Sequence, residues 1–186
     1  MAITTYTAGQ VLTAASLNNN FASGGLQLVK TQTIGSAVSS VTVTGAFSST
    51  YDTYKITISG GAGSTSQNLQ LQFGSTTTGY YSSYFRTTSY ASSAYDGQTN
   101  NNTSSFPDIG FGSTGSLYLS VEVLNPNLAK PTFVSAPYIR SDTTTIGAGQ
   151  QSGFLAGTTQ YTAFTVTAST GTMTGGTIRV YGYVNS

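Results

Sequence analysis

The chemistry open to this chain is narrowed first by what it lacks. Its 186 residues include no histidine and no cysteine. That removes His-based triads, thiol nucleophiles and His/Cys zinc sites. The acids left are Asp52, Asp96, Asp108, Glu122 and Asp142. Two carboxylates can hydrolyse a glycoside, but only their separation in space makes a pair, and no motif marks two of these. No catalytic residue is assigned, and a non-enzymatic protein is expected. The run D-G-Q-T-N-N-N at 96–102 offers oxygen ligands in a loop. It lacks the Asp spacing and the closing bidentate Glu of an EF-hand. Neither a metal nor a cofactor is expected.

The residues best suited to binding lie in G-Y-Y-S-S-Y-F-R-T-T-S-Y-A-S-S-A-Y-D-G, residues 79–97, which holds five of the 13 tyrosines and five serines. Tyrosine supplies rigid amphipathic contact area and serine adaptable hydrogen bonds, the mixture found in antibody paratopes. If the segment is extended, Tyr80, Tyr84, Arg86 and Tyr90 share one face, with Tyr81 and Phe85 on the other. One face should be core and the other a row of stacking platforms. Tyr80, Tyr84, Arg86, Tyr90 and Tyr95 form the candidate surface for a glycan or a protein partner. Subunit contact or ordinary cross-strand tyrosine pairing is the plainer alternative. Tyr181 and Tyr183, opposite the inward face of the last strand, invite the same interface reading.

Strands must position these side chains. Tyr54, Ile56 and Ile58 alternate with polar residues, as do Leu69, Leu71 and Phe73, then Leu117, Leu119, Val121 and Val123, then Ile178, Val180 and Val184. Further strand signals cover 27–34, 38–47, 80–90, 132–140, 143–148 and 161–168. About ten such runs split by Gly, Ser, Asn and Pro clusters indicate an antiparallel all-β sandwich, and a jelly-roll-like closure fits the strand count. Residues 91–114 show no clear alternation and read as a long polar loop.

Charged residues make up 6% of the chain and the net charge is +1, against about 25% charged in ordinary soluble domains. The six cations are scattered, whereas phosphate backbones need clustered ones, so nucleic acid is not an expected partner. No apolar run approaches the ~20 residues of a membrane-spanning helix. The start, M-A-I-T-T-Y, lacks a basic region followed by an apolar stretch. Synthesis in a cytoplasm without individual export is the expectation.

One segment breaks the β pattern. Thr13 suits an N-cap, with Leu12 and Leu17 placed as a hydrophobic staple and Phe21 one turn further on the same face. The glycines at 24 and 25 would end the helix. A helix of barely two turns is marginal alone, so it must dock. Either it lies on its own sandwich as a lid, or Leu12, Leu17 and Phe21 plug into a larger assembly. The division expected is an anchoring arm at 1–25 and a β-sandwich at 26–186.

The string G-Q-V-L-T-A-A-S-L-N at 9–18, followed by Phe21, resembles an N-terminal segment of tail-fibre and other appendage proteins of tailed bacteriophages. The usual form there has an acidic residue where Ser16 stands. The block L-V-K-T-Q-T-I-G-S-A-V-S-S-V-T-V-T-G-A-F-S-S-T-Y-D-T-Y-K-I-T-I-S-G at 28–60 and the close G-G-T-I-R-V-Y-G-Y at 175–183 are similar to β-rich virion proteins of marine and cyanobacterial phages. The resemblance implies a small homotrimeric β-sandwich on the virion surface, held to other tail or capsid proteins by its N-terminal arm. A fibre or knob touching host surface glycans is the first expectation. A decoration or cement protein of the head is the alternative, and a surface-polysaccharide depolymerase the remote one. Deleting residues 1–25 is expected to leave the β domain folded, by circular dichroism and thermal melting, but unable to join the particle. Loss of folding would instead assign the peg to its own sandwich.

Overall fold

Alternation becomes strand almost throughout the computed structural model, which describes residues 6–11, 13, 25–87, 95–141 and 146–185. The proposed helical peg with Leu12, Leu17 and Phe21, and also Tyr90 and Asp142, lie outside the described residues. The strands are β1 (Leu26–Thr33), β2 (Ser40–Val43), β3 (Thr53–Ser59), β4 (Ala62–Gly63), β5 (Gln67–Phe73), β6 (Tyr80–Thr87) and β7 (Tyr95–Thr103). They continue as β8 (Phe106–Ser113), β9 (Ser116–Leu124), β10 (Thr132–Ser141), β11 (Ile146–Leu155), β12 (Phe164–Ala168), β13 (Met173–Thr174) and β14 (Thr177–Tyr183). Every ladder is antiparallel. Twelve strands form one continuous network, and β4 and β13 pair separately.

The network divides at β9. Its first half pairs with β8, through Leu117↔Gly112 and Leu119↔Gly110. Its second half pairs with β10, through Val123↔Val134 and Leu124↔Phe133. The other edge of β9 is taken by β3. Two layers result. One runs β1-β14-β3-β9-β10-β11-β6-β7, and the other runs β2-β12-β5-β8.

Alternation decides what lies between the layers. The first contributes Tyr54, Ile56, Ile58, Val121, Val123, Ile178 and Val180, and the second Val43, Leu69, Leu71, Phe73, Phe164 and Val166, to a single buried cluster. Phe47, on the connection from β2 to β3, touches the rings of Tyr54 (4.9 Å), Phe164 (5.6 Å) and Phe73 (5.8 Å) and so ties both layers together. Buried phenols need partners. The Tyr54 hydroxyl donates to Ser48 O and accepts from Ser48 N, each at 2.8 Å. The Tyr80 hydroxyl accepts from Phe73 N at 2.8 Å and donates to Thr76 O at 3.1 Å.

The fold gives the glycine-rich turns at 59–63 and 173–177 a shared reason. Gly61 and Gly176 both have positive φ, and a Cβ on either would strike the backbone of the opposite turn. The two turns nest against each other beside the β4–β13 pair, so side chains are excluded at Gly61 and Gly176.

Three sequence expectations change. The polar loop at 91–114 is replaced over its described part, from residue 95, by strands β7 and β8 and the turn that follows. β7 is an edge strand with little buried area, and β8 is buried on both faces over most of its length, so neither shows the alternation of a half-buried strand. The strand expected at 38–47 is confined to Ser40–Val43. The one expected at 143–148 runs on, in its described part from Ile146, to Leu155.

Glycines hid that continuation. Gly149 and Gly153 in β11 stand opposite Arg86 and Ser82 of β6, on the side that β8 covers. A Cβ at Gly153 would lie 2.7 Å from Ser82 Cβ and 2.9 Å from Phe106 Cε1. A missing side chain there is a condition for β8 to approach. Gly153→Val is expected to lower stability by roughly 1–3 kcal/mol through overpacking, measured by urea unfolding, with β-sheet circular dichroism retained.

Candidate functional site

Alternation in β6 sends Tyr80, Ser82, Tyr84 and Arg86 toward β8 and Tyr81, Ser83 and Phe85 away from it. The inward set builds a charged clamp. Arg86 Nη2 is 3.0 Å from Asp96 Oδ2, and its Nε donates to the same oxygen at 3.2 Å. Its Nη1 lies 3.9 Å from Asp108 Oδ1. The guanidinium sits over the rings of Tyr84 (4.5 Å) and Tyr138 (5.1 Å). It reaches Tyr138 because Gly149, paired with both Arg86 and Tyr138, puts no side chain between them. Such stacking strengthens when desolvated.

The clamp is closed by hydrogen bonds from the second layer. The Asn68 amide donates to Asp108, and the Tyr138 hydroxyl donates to Asn68 Oδ1 at 3.0 Å. Tyr84 donates to Gln98 Oε1 at 3.0 Å and accepts from Arg86 Nη2 at 3.3 Å. Asp108 takes a left-handed backbone, φ 55°, which Asp tolerates better than most residues. It lies where the β5–β8 register shifts, between the Leu71↔Phe106 and Leu69↔Gly110 pairs. The bulge turns its carboxylate toward Arg86.

Burial sets the protonation of these groups. Desolvation raises the Asp108 pKa, opposed by Arg86 and by the Asn68 hydrogen bond. Desolvation also pushes Tyr138 up to about 12, against the pull of Arg86, and Tyr80 up to about 12, against its bond from Phe73 N. Asp96 and Asp108 are both spent on Arg86, so their chemistry is to hold the β6–β7 hairpin against β8.

The outward set is different. Paired residues in an antiparallel sheet share a face, so one row can be followed across eight strands: Leu28, Tyr181, Lys55, Glu122, Ser135, Ser152, Ser83 and Thr99. The next row carries Leu124, Phe133, Phe154 and Tyr81. The Tyr81 and Phe154 rings stack at 5.1 Å and 14°, and Phe133 follows at 6.3 Å from Phe154. On the other side of the serine row stand Phe85 and Ile139, with Tyr95 opposite Thr87. Of the nine large hydrophobic side chains left exposed among the described residues, all but Val11 are on this face. The outward positions of β10, β11, β6 and β7 carry no charge. The face's ionic groups lie on β9, β3 and β14, where Lys55 Nζ is 4.0 Å from Glu122, the Tyr183 hydroxyl donates to Glu122 at 2.8 Å, and Arg179 donates to Ser59 Oγ at 2.7 Å.

The residues expected to form a binding surface are thus separated. Tyr80 is 0% exposed and Tyr84 8%, so both leave the candidate surface. Arg86 is the clamp. Tyr95, 82% exposed, stays on the open face, where Tyr81, Phe85, Phe133 and Phe154 join it. Alternation had divided β6 correctly. Which side would be covered depended on β8, a separate segment of chain. Phe133 and Phe154 escaped notice because nothing local marks an aromatic residue as outward. The Asp96–Asn102 run, expected as a loop, is strand, and no group of three or more acids that could hold a metal ion occurs among the described residues. No helix among them is long and apolar enough to cross a membrane.

Comparison with known proteins finds no matching family profile, no matching curated protein and no matching solved structure.

The buried phenols make the fold sensitive to alkali. The folded pKa values of Tyr80 and Tyr138, about 12, exceed the ordinary value of 10.0, so the folded state keeps protons that the unfolded chain releases. Their contribution is complete below pH 10 and lost as the pH rises toward 12. The urea midpoint should fall across that window, with two phenols ionising last in an ultraviolet titration. Tyr138→Phe should make the fall shallower.

Proposed function

We propose that this chain is a non-enzymatic structural module of a tailed-bacteriophage virion, a small fibre or knob that residues 1–25 attach to the particle. The observation that carries the reading is the outer face of the long sheet, which is continuous over eight strands, poor in charge, and carries eight of the nine exposed large hydrophobic side chains among the described residues. An exposed face of that extent marks a contact surface in a soluble protein. Closed rings of identical subunits are the general way to bury one, so a homotrimer is part of the proposal.

Strand order supports it. The sets β1-β14-β3-β9 and β2-β12-β5-β8 support reading the fold as an eight-stranded jelly roll, an architecture that recurs in viral capsid and lectin domains. The hairpins β6–β7 and β10–β11 are then insertions, after β5 and after β9, that join through the β11–β6 ladder and widen one layer. Asp96 and Asp108 serve Arg86, and Glu122 serves Tyr183 and Lys55, which favours structural over catalytic carboxylates.

The same face would serve a head decoration protein, and copy number per particle separates the two. A few copies fit a tail; numbers matching the capsid lattice fit a head. Replacing Phe133 and Ile139 together by Ser should leave the melting temperature close to that of the parent protein. Sedimentation should shift from oligomer toward monomer, and uptake into particles should drop. Unchanged sedimentation and uptake would remove the contact-surface reading.

A further inference from the structure

A cleft of about 260 Å³ opens on the outer face where β6, β7 and β11 meet. One wall is the stacked Tyr81–Phe154 pair. The neighbouring row supplies the hydroxyls of Ser83 and Ser152, directly opposite each other, and Asn100 closes the β7 side. Ser83 and Ser152 make no side-chain hydrogen bond to another described residue. Asn100 borders the cleft from β7, but it pairs with Ser82 and turns its amide to Ser82 Oγ at 3.4 Å on the inner side of the sheet, which leaves the polar lining to the two serines.

These features answer to one ligand chemistry. A pyranose ring has an apolar C–H face, which suits an aromatic plane, and a rim of hydroxyls, which suits paired hydroxyls. The volume lies just under the ~300–1,000 Å³ of drug-sized pockets, room for one sugar ring. No charged side chain borders the cleft, so it has nothing to hold a carboxylate or sulfate sugar. We propose that this cleft binds a single uncharged hexopyranose unit of a polysaccharide, stacked on Tyr81 and hydrogen-bonded by Ser83 and Ser152. The proposal rests on reading the outer face as a contact surface, and it assigns this corner to sugar instead of to a second subunit.

The test is saturation-transfer NMR of the full chain with the methyl glycosides of glucose, galactose and mannose, and with glucuronic acid as the charged control. Transfer to the ring protons of at least one neutral glycoside, little changed by salt and absent for the acid, is the expected result. Tyr81→Ala should weaken binding at least about tenfold, while Tyr81→Phe, which keeps the ring face, should stay within about threefold. Ser83→Val should weaken binding without altering the melting temperature. No transfer from any neutral glycoside, or equal transfer in Tyr81→Ala, overturns the proposal. So does protection of Tyr81 from hydroxyl-radical labelling in the oligomer, which would put a protein in the cleft and leave the contact-surface reading intact. Sugar binding that persists when the Phe133 and Ile139 substitutions change nothing in assembly would keep the sugar site and sink that broader reading.

Discussion

A β-sheet has two faces, and this chain has enough second layer to cover only one of them. The constraint is set at β9, whose single edge is shared by β8 and β10. Because both cannot continue in one plane, β8 leaves the first layer and crosses the inner side of β10, β11 and β6. Its approach depends on a position without a side chain, Gly153, where a Cβ would meet Phe106 of β8. Everything else about the β6–β7 and β10–β11 hairpins follows from which side β8 takes. Tyrosines turned toward it become core, and aromatics turned away become surface.

The low charge of the chain makes the few ionic groups it has more informative. Arg86, Asp96 and Asp108 are spent where β8 meets the inserted hairpins, in a setting where loss of one partner would strand the others. A buried ion pair is weak evidence for net stability, because desolvation offsets most of its attraction, but it is demanding about geometry. Arg86 meets Asp96 through Nε and Nη2 and lies over two aromatic rings. Its buried Nη1 stays 3.9 Å from Asp108 without a hydrogen bond, and Asn68 and Tyr138 fix that far carboxylate. These contacts join β6, β7, β8 and β10 on the side of the sheet opposite Tyr81, Phe85 and Tyr95.

The open face is polar through hydroxyls and amides and apolar through aromatic rings. Such a surface associates by area and shape instead of by charge steering, and salt should influence it little. It suits a protein that must hold neighbours and touch uncharged sugars in media of varying ionic strength. The tail reading and the head reading both use these properties, since both require a module displayed by one end and packed or presented along a broad face.

Much was legible in the sequence. Tyr54, Ile56, Ile58, Leu69, Leu71, Phe73, Leu119, Val121, Ile178 and Val180 could be assigned to the core by period-2 alternation alone, because each strand half-buries itself in a fixed pattern. The absence of histidine and cysteine removed whole classes of chemistry before any fold was known. The division of β6 into two faces was equally local. What alternation cannot carry is the identity of the covered side, which depends on a strand elsewhere in the chain. β8, buried on both faces, and β11, with glycine at inward positions, carry no period to read. Tertiary structure alone therefore made Tyr80 core and Phe154 surface, because burial is a property of what packs against a residue, and the residue's own sequence neighbours do not specify it.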